Sequence, residues 1–296
     1  MITRIVIVPG GMARIVLVSA LALALTACGG GGARTGPLQV VASTDVYGDL
    51  ARQIGGSRVA VKSILSNPDA DPHLFEPGTA NGLAVSKAGV IVQNGLGYDD
   101  FMNKLENAAP SSKRRVLVVA DVMPHTANPH LWYDLPRMPK VAAAIANELS
   151  AADPKHAASY RAGARRFTAS LDPLFAAVRA LPAGAPVAYT EPVPAYLVAA
   201  AGLRNLAPRS FTRQIEQGSE PPAAAVSAMR SLITQHRIKA LLYNEQAVSP
   251  ITARLGSLAT REQIAVVPIT ETLPAGLTYQ QWQLRQITAL KRVLAR

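Results

Sequence analysis

LQVVASTDVYGDLARQIGGSRVAVKSIL, from Leu38 to Leu65, is the stretch whose reading decides the fold. Gln39 to Ala42 predicts a strand, Asp45 to Ile54 a helix stopped by Gly55-Gly56, and Val59 to Leu65 a second, β-branched strand. A strand, a helix and a strand in so short a span make a βαβ unit, the building block of a parallel sheet.

The alternation continues outward. Thr79 to Lys87 predicts a helix, Val90 to Gln93 a strand closing on Asn94-Gly95, Phe101 to Ala108 a helix, Arg115 to Val119 a strand, and Pro136 to Leu149 an alanine-rich helix. A second series follows with strands at Pro186 to Thr190, Ile238 to Tyr243 and Ile264 to Ile269. Its helices are Ala195 to Ala201, Pro221 to Gln235, Ser249 to Ala259 and Tyr279 to Leu294. The fold class expected is α/β: two α/β lobes, each with a central, mostly parallel sheet, residues 38–152 and 182–296.

Residues 153–181 lie between them. Asp153-Pro154 offers an N-cap and an N1 proline. Tyr160, Ala164, Phe167, Leu171, Leu174, Val178 and Leu181 then recur at alternating spacings of four and three. That stripe predicts one bridging helix of about 27 residues, roughly 40 Å long. Pro173 interrupts it, so the helix must bend or restart there, with Asp172 available as a cap.

The chain of 296 residues opens like an export signal, residues 1–27. Arg4 and Arg14 accompany an apolar run, Ile15 to Leu25, that is too short to span a bilayer. Leu25-Thr26-Ala27-Cys28 and the glycines after it have the character of a lipoprotein cleavage site. Cys28 would then carry the lipid, residues 28–37 would be a tether, and the protein would sit on the extracytoplasmic face of the membrane. Cys28 is the only cysteine, so a metal site here must use nitrogen and oxygen. The net charge of +11 raises nucleic acid as a partner. Against it, the single cationic run, Lys113-Arg114-Arg115, has no interleaved aromatics, and export removes the chain from most nucleic acid. The charge reads as solvated surface.

Two of the five histidines share one frame: Asp71-Pro72-His73-Leu74-Phe75 and Asn128-Pro129-His130-Leu131-Trp132. Proline pushes the residue before it into an extended or turn conformation, and the aromatic two places after the histidine can anchor the loop. Both frames follow predicted strands, where open α/β sheets bind ligands. His125 lacks the frame and is a minor candidate. In the second half, Glu191 and Glu271 each directly follow a predicted strand. Two imidazoles and two carboxylates at strand ends suit a borderline divalent cation held between two lobes.

These motifs, with Glu76-Pro77, Lys87-Ala88-Gly89, Asn94-Gly95-Leu96-Gly97 and Thr190-Glu191, resemble the solute-binding lipoproteins of bacterial ABC importers for zinc and manganese, from about Leu38 to the C-terminus. The resemblance implies two α/β lobes joined by a long helix, with Zn2+ or Mn2+ held as cargo by His73, His130, Glu191 and Glu271. It further implies a monomeric receptor, not an enzyme, whose partner is a membrane permease. Manganese-type members commonly have glutamate at the third position. At the fourth the family usually has aspartate, so Glu271 is a departure and Glu245 its rival. The histidine-rich loop of many zinc members is absent. Two alternatives stay open: a zinc-dependent hydrolase, which would need an open water position and a base, and a receptor of the same architecture for a siderophore, haem or corrinoid, which would need a wide aromatic or arginine-lined cleft.

Overall fold

A computed structural model describes residues 36–67, 75–123 and 127–295. The signal segment 1–27, Cys28 and most of the tether, His73 and His125 therefore lie outside the described residues.

The first sheet grows from the stretch that decided the fold. β1 (Leu38–Thr44) leads into α1 (Asp45–Gly55) and β2 (Val59–Leu65), and the crossover makes the pair parallel. α2 (Thr79–Lys87), β3 (Val90–Gln93), α3 (Phe101–Ala108), β4 (Arg115–Val118) and the single turn α4 (Val119–Val122) complete this part. The strands lie in the order β2-β1-β3-β4, all parallel. α5 (Met138–Ala152) then packs its buried face, Val141, Ile145 and Leu149 among others, into the core beneath the sheet.

The expected bridging helix is in two pieces, α6 (Ala157–Ala169) and α7 (Asp172–Arg179), after a 3-10 turn Pro154–His156. Pro173 has no N–H to donate and its ring excludes the carbonyl four residues earlier, so the α-helical ladder stops. Ser170 N still donates to Arg166 O, whereas Leu171 N donates to Thr168 O, the tighter 3-10 pattern. Asp172 is the first residue of α7, not its cap, and Asp153 caps nothing with its side chain. Asp153 Oδ2 instead accepts from Tyr160 Oη at 2.7 Å and lies 2.6 Å from His156 Nδ1. The apolar stripe survives the break: Tyr160, Phe167, Leu171, Leu174, Val178 and Leu181 are all buried in one core.

β5 (Pro186–Tyr189), α8 (Ala195–Ala200), β6 (Arg204–Asn205), α9 (Arg209–Glu216), α10 (Ala223–Thr234), β7 (Ala240–Asn244), α11 (Pro250–Arg261), β8 (Ala265–Ile269) and α12 (Tyr279–Leu294) follow. The second sheet has the order β6-β5-β7-β8, again all parallel. In each sheet the connections reverse direction beside the first-formed strand, leaving a crevice past the carboxyl ends of the central pair. Capping boxes start the last two helices, Ser249 with Thr252 and Thr278 with Gln281. β6 and α9 escape the periodicity reading because β6 has only two residues and α9 buries just Phe211, Thr212 and Ile215. Among the described residues no helix is long and apolar enough to cross a membrane.

α6 crosses the end of α1 so closely that a Cβ on Gly163 would stand 2.1 Å from Ile54 O. Gly163→Ala should therefore destabilise the protein by about 1–3 kcal/mol through overpacking, although alanine is the better helix former by about 1 kcal/mol. Chemical denaturation measures this, and an unchanged or raised midpoint contradicts the close crossing.

Candidate metal centre

The functional side chains gather past the strand ends. After α4 the chain turns through Asn128-Pro129 into His130, which is fully buried. Asn128 Nδ2 donates to Pro192 O at 2.8 Å, so its Oδ1 is the atom that accepts from His130 N at 3.1 Å and faces His130 Nδ1 at 2.8 Å. An amide oxygen only accepts, so Nδ1 carries a proton, and in the neutral ring the lone pair is the one on Nε2. Nε2 makes no hydrogen bond among the described residues and lies 3.3 Å from Glu271 Oε2. Trp132, two residues on, is fully buried, edge-on to Tyr47 and Tyr98, and anchors the loop as its sequence frame suggested. Asn94, at the end of β3, holds the same loop by donating to Pro129 O at 2.8 Å.

Glu191 and Glu271 are buried past the ends of β5 and β8. Asn244, the last residue of β7, lies between them. Its Nδ2 donates to Glu271 Oε1 at 2.8 Å and to Glu191 Oε2 at 3.2 Å. Gln246 N donates to Asn244 Oδ1 at 3.1 Å, which fixes the amide with its nitrogen toward the carboxylates. Tyr98 Oη donates to Glu271 Oε2 at 3.0 Å. Burial, and then the Glu271 charge, push the Tyr98 phenol well above its ordinary range, so it stays a donor. Tyr98 reaches this position through a tight turn in which Gly95, Leu96 and Gly97 all have positive φ, of 84°, 58° and 82°. Glu245, the first residue past β7, is exposed.

The described part thus brings His130 and Glu271 into contact and ties Glu191 to Glu271 through one amide. Among the described residues no three His, Cys, Asp or Glu side chains form a metal-holding group by themselves, and His73 lies outside them. Sequence reading did not single out Asn244, Tyr98 or Glu216, whose Oε1 is 3.7 Å from His130 Nδ1. The available signal for Asn244 was its place at a strand end, the one Glu191 and Glu271 share. Beside the cluster opens a cavity of about 1160 Å3, walled in part by Tyr98, Asn128 and Glu216.

Two aspartates of α1 hold the loop that follows Glu271. Both Asp45 oxygens accept from Leu273 N, at 3.0 and 3.1 Å, and Asp49 Oδ2 accepts from Tyr279 N at 2.9 Å. Burial pushes the Asp45 carboxyl up from 3.8 to about 7, with the Leu273 hydrogen bonds opposing it.

The ZnuA family model, described as zinc-uptake complex component A, periplasmic, matches residues 40–293. Among curated proteins, the manganese-binding lipoprotein MntA of Halalkalibacterium halodurans is 31% identical over 165 residues, 52% of this chain and 55% of that protein. MntA of Bacillus subtilis is 29% identical over 161 residues, 50% of this chain and 52% of its own length. The chain thus spans about half the length of the curated relatives it matches. Among solved structures, the periplasmic zinc-binding protein TroA of Treponema pallidum superimposes with a TM-score of 0.74 at 19% identity, covering 88% of this chain and 100% of that one. At that identity the likeness speaks for the fold.

Because the raised Asp45 stays protonated in the folded protein after it has ionised in the unfolded chain, the folded form holds the extra proton between about pH 4 and 7. Asp45's contribution to stability therefore falls as pH rises through that window and levels off above it. The unfolding free energy of the wild type, measured against that of Asp45→Asn, should decline from pH 4 to 7. A difference that is flat or rising across the window contradicts the buried, raised carboxyl.

Proposed function

The chain belongs to the ZnuA family of periplasmic zinc-uptake components, and on that premise we propose that it is the solute-binding lipoprotein of an ABC importer, capturing Zn2+ or Mn2+ and delivering it to a permease. The observation that carries this reading is the pairing of His130 Nε2 with Glu271 Oε2 at 3.3 Å, in a buried site to which Asn244 also ties Glu191. Buried carboxylates are costly without a compensating charge, and a divalent cation supplies it. An imidazole nitrogen with its proton fixed on the far side is a ready ligand for a first-row ion.

In this proposal His73 and His130 come from one lobe, residues 38–152, and Glu191 and Glu271 from the other, residues 182–296. The lobes close on the cation, and the carboxylates neutralise it. Glu271 replaces the family's usual aspartate; its burial, against the exposure of Glu245, supports it as the fourth ligand. Two nitrogens and two carboxylates suit zinc in four-coordination, or manganese when a carboxylate turns bidentate. The protein acts by binding rather than by catalysis, as a monomer, anchored through lipidated Cys28 on the extracytoplasmic side.

Calorimetric titration of the metal-free chain with Zn2+ tests the assignment. Asn244→Ala should lower affinity about 10–100-fold, as loss of a supporting hydrogen bond does. His130→Ala and Glu271→Ala should lower it further, and Glu245→Ala should leave it unchanged. Retained zinc affinity in both His130→Ala and Glu271→Ala sinks the metal centre.

A further inference from the structure

Asn244 is oriented to give hydrogen bonds rather than to bind a cation. Its Oδ1 accepts from Gln246 N at 3.1 Å, and its Nδ2 donates to Glu271 Oε1 at 2.8 Å and to Glu191 Oε2 at 3.2 Å. Turning the amide over would set its oxygen against carboxylate oxygens and its NH2 group against the Gln246 N–H. Asn244, Glu191 and Glu271 are all buried, so solvent does not replace a hydrogen bond that breaks. The amide therefore claims one oxygen of each carboxylate.

Glu271 turns its other oxygen, Oε2, to within 3.3 Å of His130 Nε2. Its backbone is held as well. Glu271 N and Thr272 N both donate to Gln246 Oε1, and Gln246 Nε2 donates to Thr272 Oγ1 at 2.6 Å. To swing both oxygens onto one cation, Glu271 would have to give up Asn244 or drag the loop that Gln246 pins. An N–H donor on an oxygen also draws down the charge which that oxygen offers a cation, and it fixes the plane of the carboxylate. We propose that Asn244 is the positioning residue that sets the choice of cargo: it keeps one oxygen of Glu191 and one of Glu271 for itself, and so holds both as one-oxygen ligands. In the four-ligand site proposed above, that limit suits four-coordinate zinc. It disfavours manganese, which asks for more oxygens and reaches them through two-oxygen carboxylates. This inference rests on the metal-binding reading and deepens it, from either cation to a preference for one.

Separate titrations of the metal-free full chain in detergent with Zn2+ and with Mn2+, for the wild type and Asn244→Ala, test it. Zinc affinity should fall about 10–100-fold in the variant and manganese affinity by no more than about threefold, so the preference for zinc narrows about tenfold or more. A residue that only supported the fold would lower both affinities alike. The chain loaded with Co2+ gives a second measure, because cobalt absorbs visible light strongly in four-coordination and weakly at higher coordination number. Wild type should give the strong bands, and Asn244→Ala weaker ones. Should the variant fail to fold, the wild-type spectrum still decides, since weak bands there overturn the proposal. Equal losses for zinc and manganese, or strong cobalt bands kept in Asn244→Ala, overturn this inference and leave the metal centre standing. A wild-type chain that binds neither Zn2+ nor Mn2+ overturns the metal centre itself, and this inference with it.

Discussion

One side-chain amide governs the arrangement of the site. Asn244 donates through a single NH2 group to two buried carboxylates, Glu271 at 2.8 Å and Glu191 at 3.2 Å. A neutral amide orients the two carboxylates without itself supplying a charge. In this arrangement His130 Nε2 lies 3.3 Å from the same Glu271 oxygen that Tyr98 holds. Gln246 stiffens it from behind: its Oε1 accepts from Glu271 N at 2.5 Å and Thr272 N at 3.2 Å, while its own N donates to Asn244.

The two sheets build this from one plan. Their strand orders correspond, β2-β1-β3-β4 and β6-β5-β7-β8, and an asparagine closes or directly follows the third strand of each. Asn94 grips the loop of His130 by way of Pro129 O, and Asn244 grips the carboxylates. Bonds across the halves then set the loops against each other. Asp45 and Asp49 accept from the backbone of Leu273 and Tyr279, Tyr279 Oη donates to Trp132 O at 2.6 Å, and Asn128 donates to Pro192 O. Because these partners are mostly backbone groups, they position loops whatever side chains those loops carry.

Much of the fold was legible where local chemistry is decisive. The ranges read for β2, α2, β3, α3 and α12 coincide with those observed, since each is bounded by glycine, proline or a capping residue. The bridging segment was half legible. Its stripe is buried as expected, yet the α-helical ladder breaks at Leu171, because a stripe reports which face is apolar and says nothing of the hydrogen bonds that Pro173 removes. α9 was missed for the opposite reason: a short helix with two apolar anchors has too little periodicity to stand out, although it carries Glu216, Arg209 and Arg213 to the cleft.

By itself the sequence determined the α/β alternation, the twin Pro-His frames and the acidic residues at strand ends, because periodicity, turn chemistry and residue type are properties of a few neighbours in the chain. Only the tertiary structure decided that Glu271 is buried against His130 while Glu245 faces out, and that Asn244 and Tyr98 complete the cluster. Those facts depend on how strands far apart in the chain come side by side. A polar residue at a strand end looks the same in sequence whether it meets water or a partner 173 positions away, as Tyr98 meets Glu271.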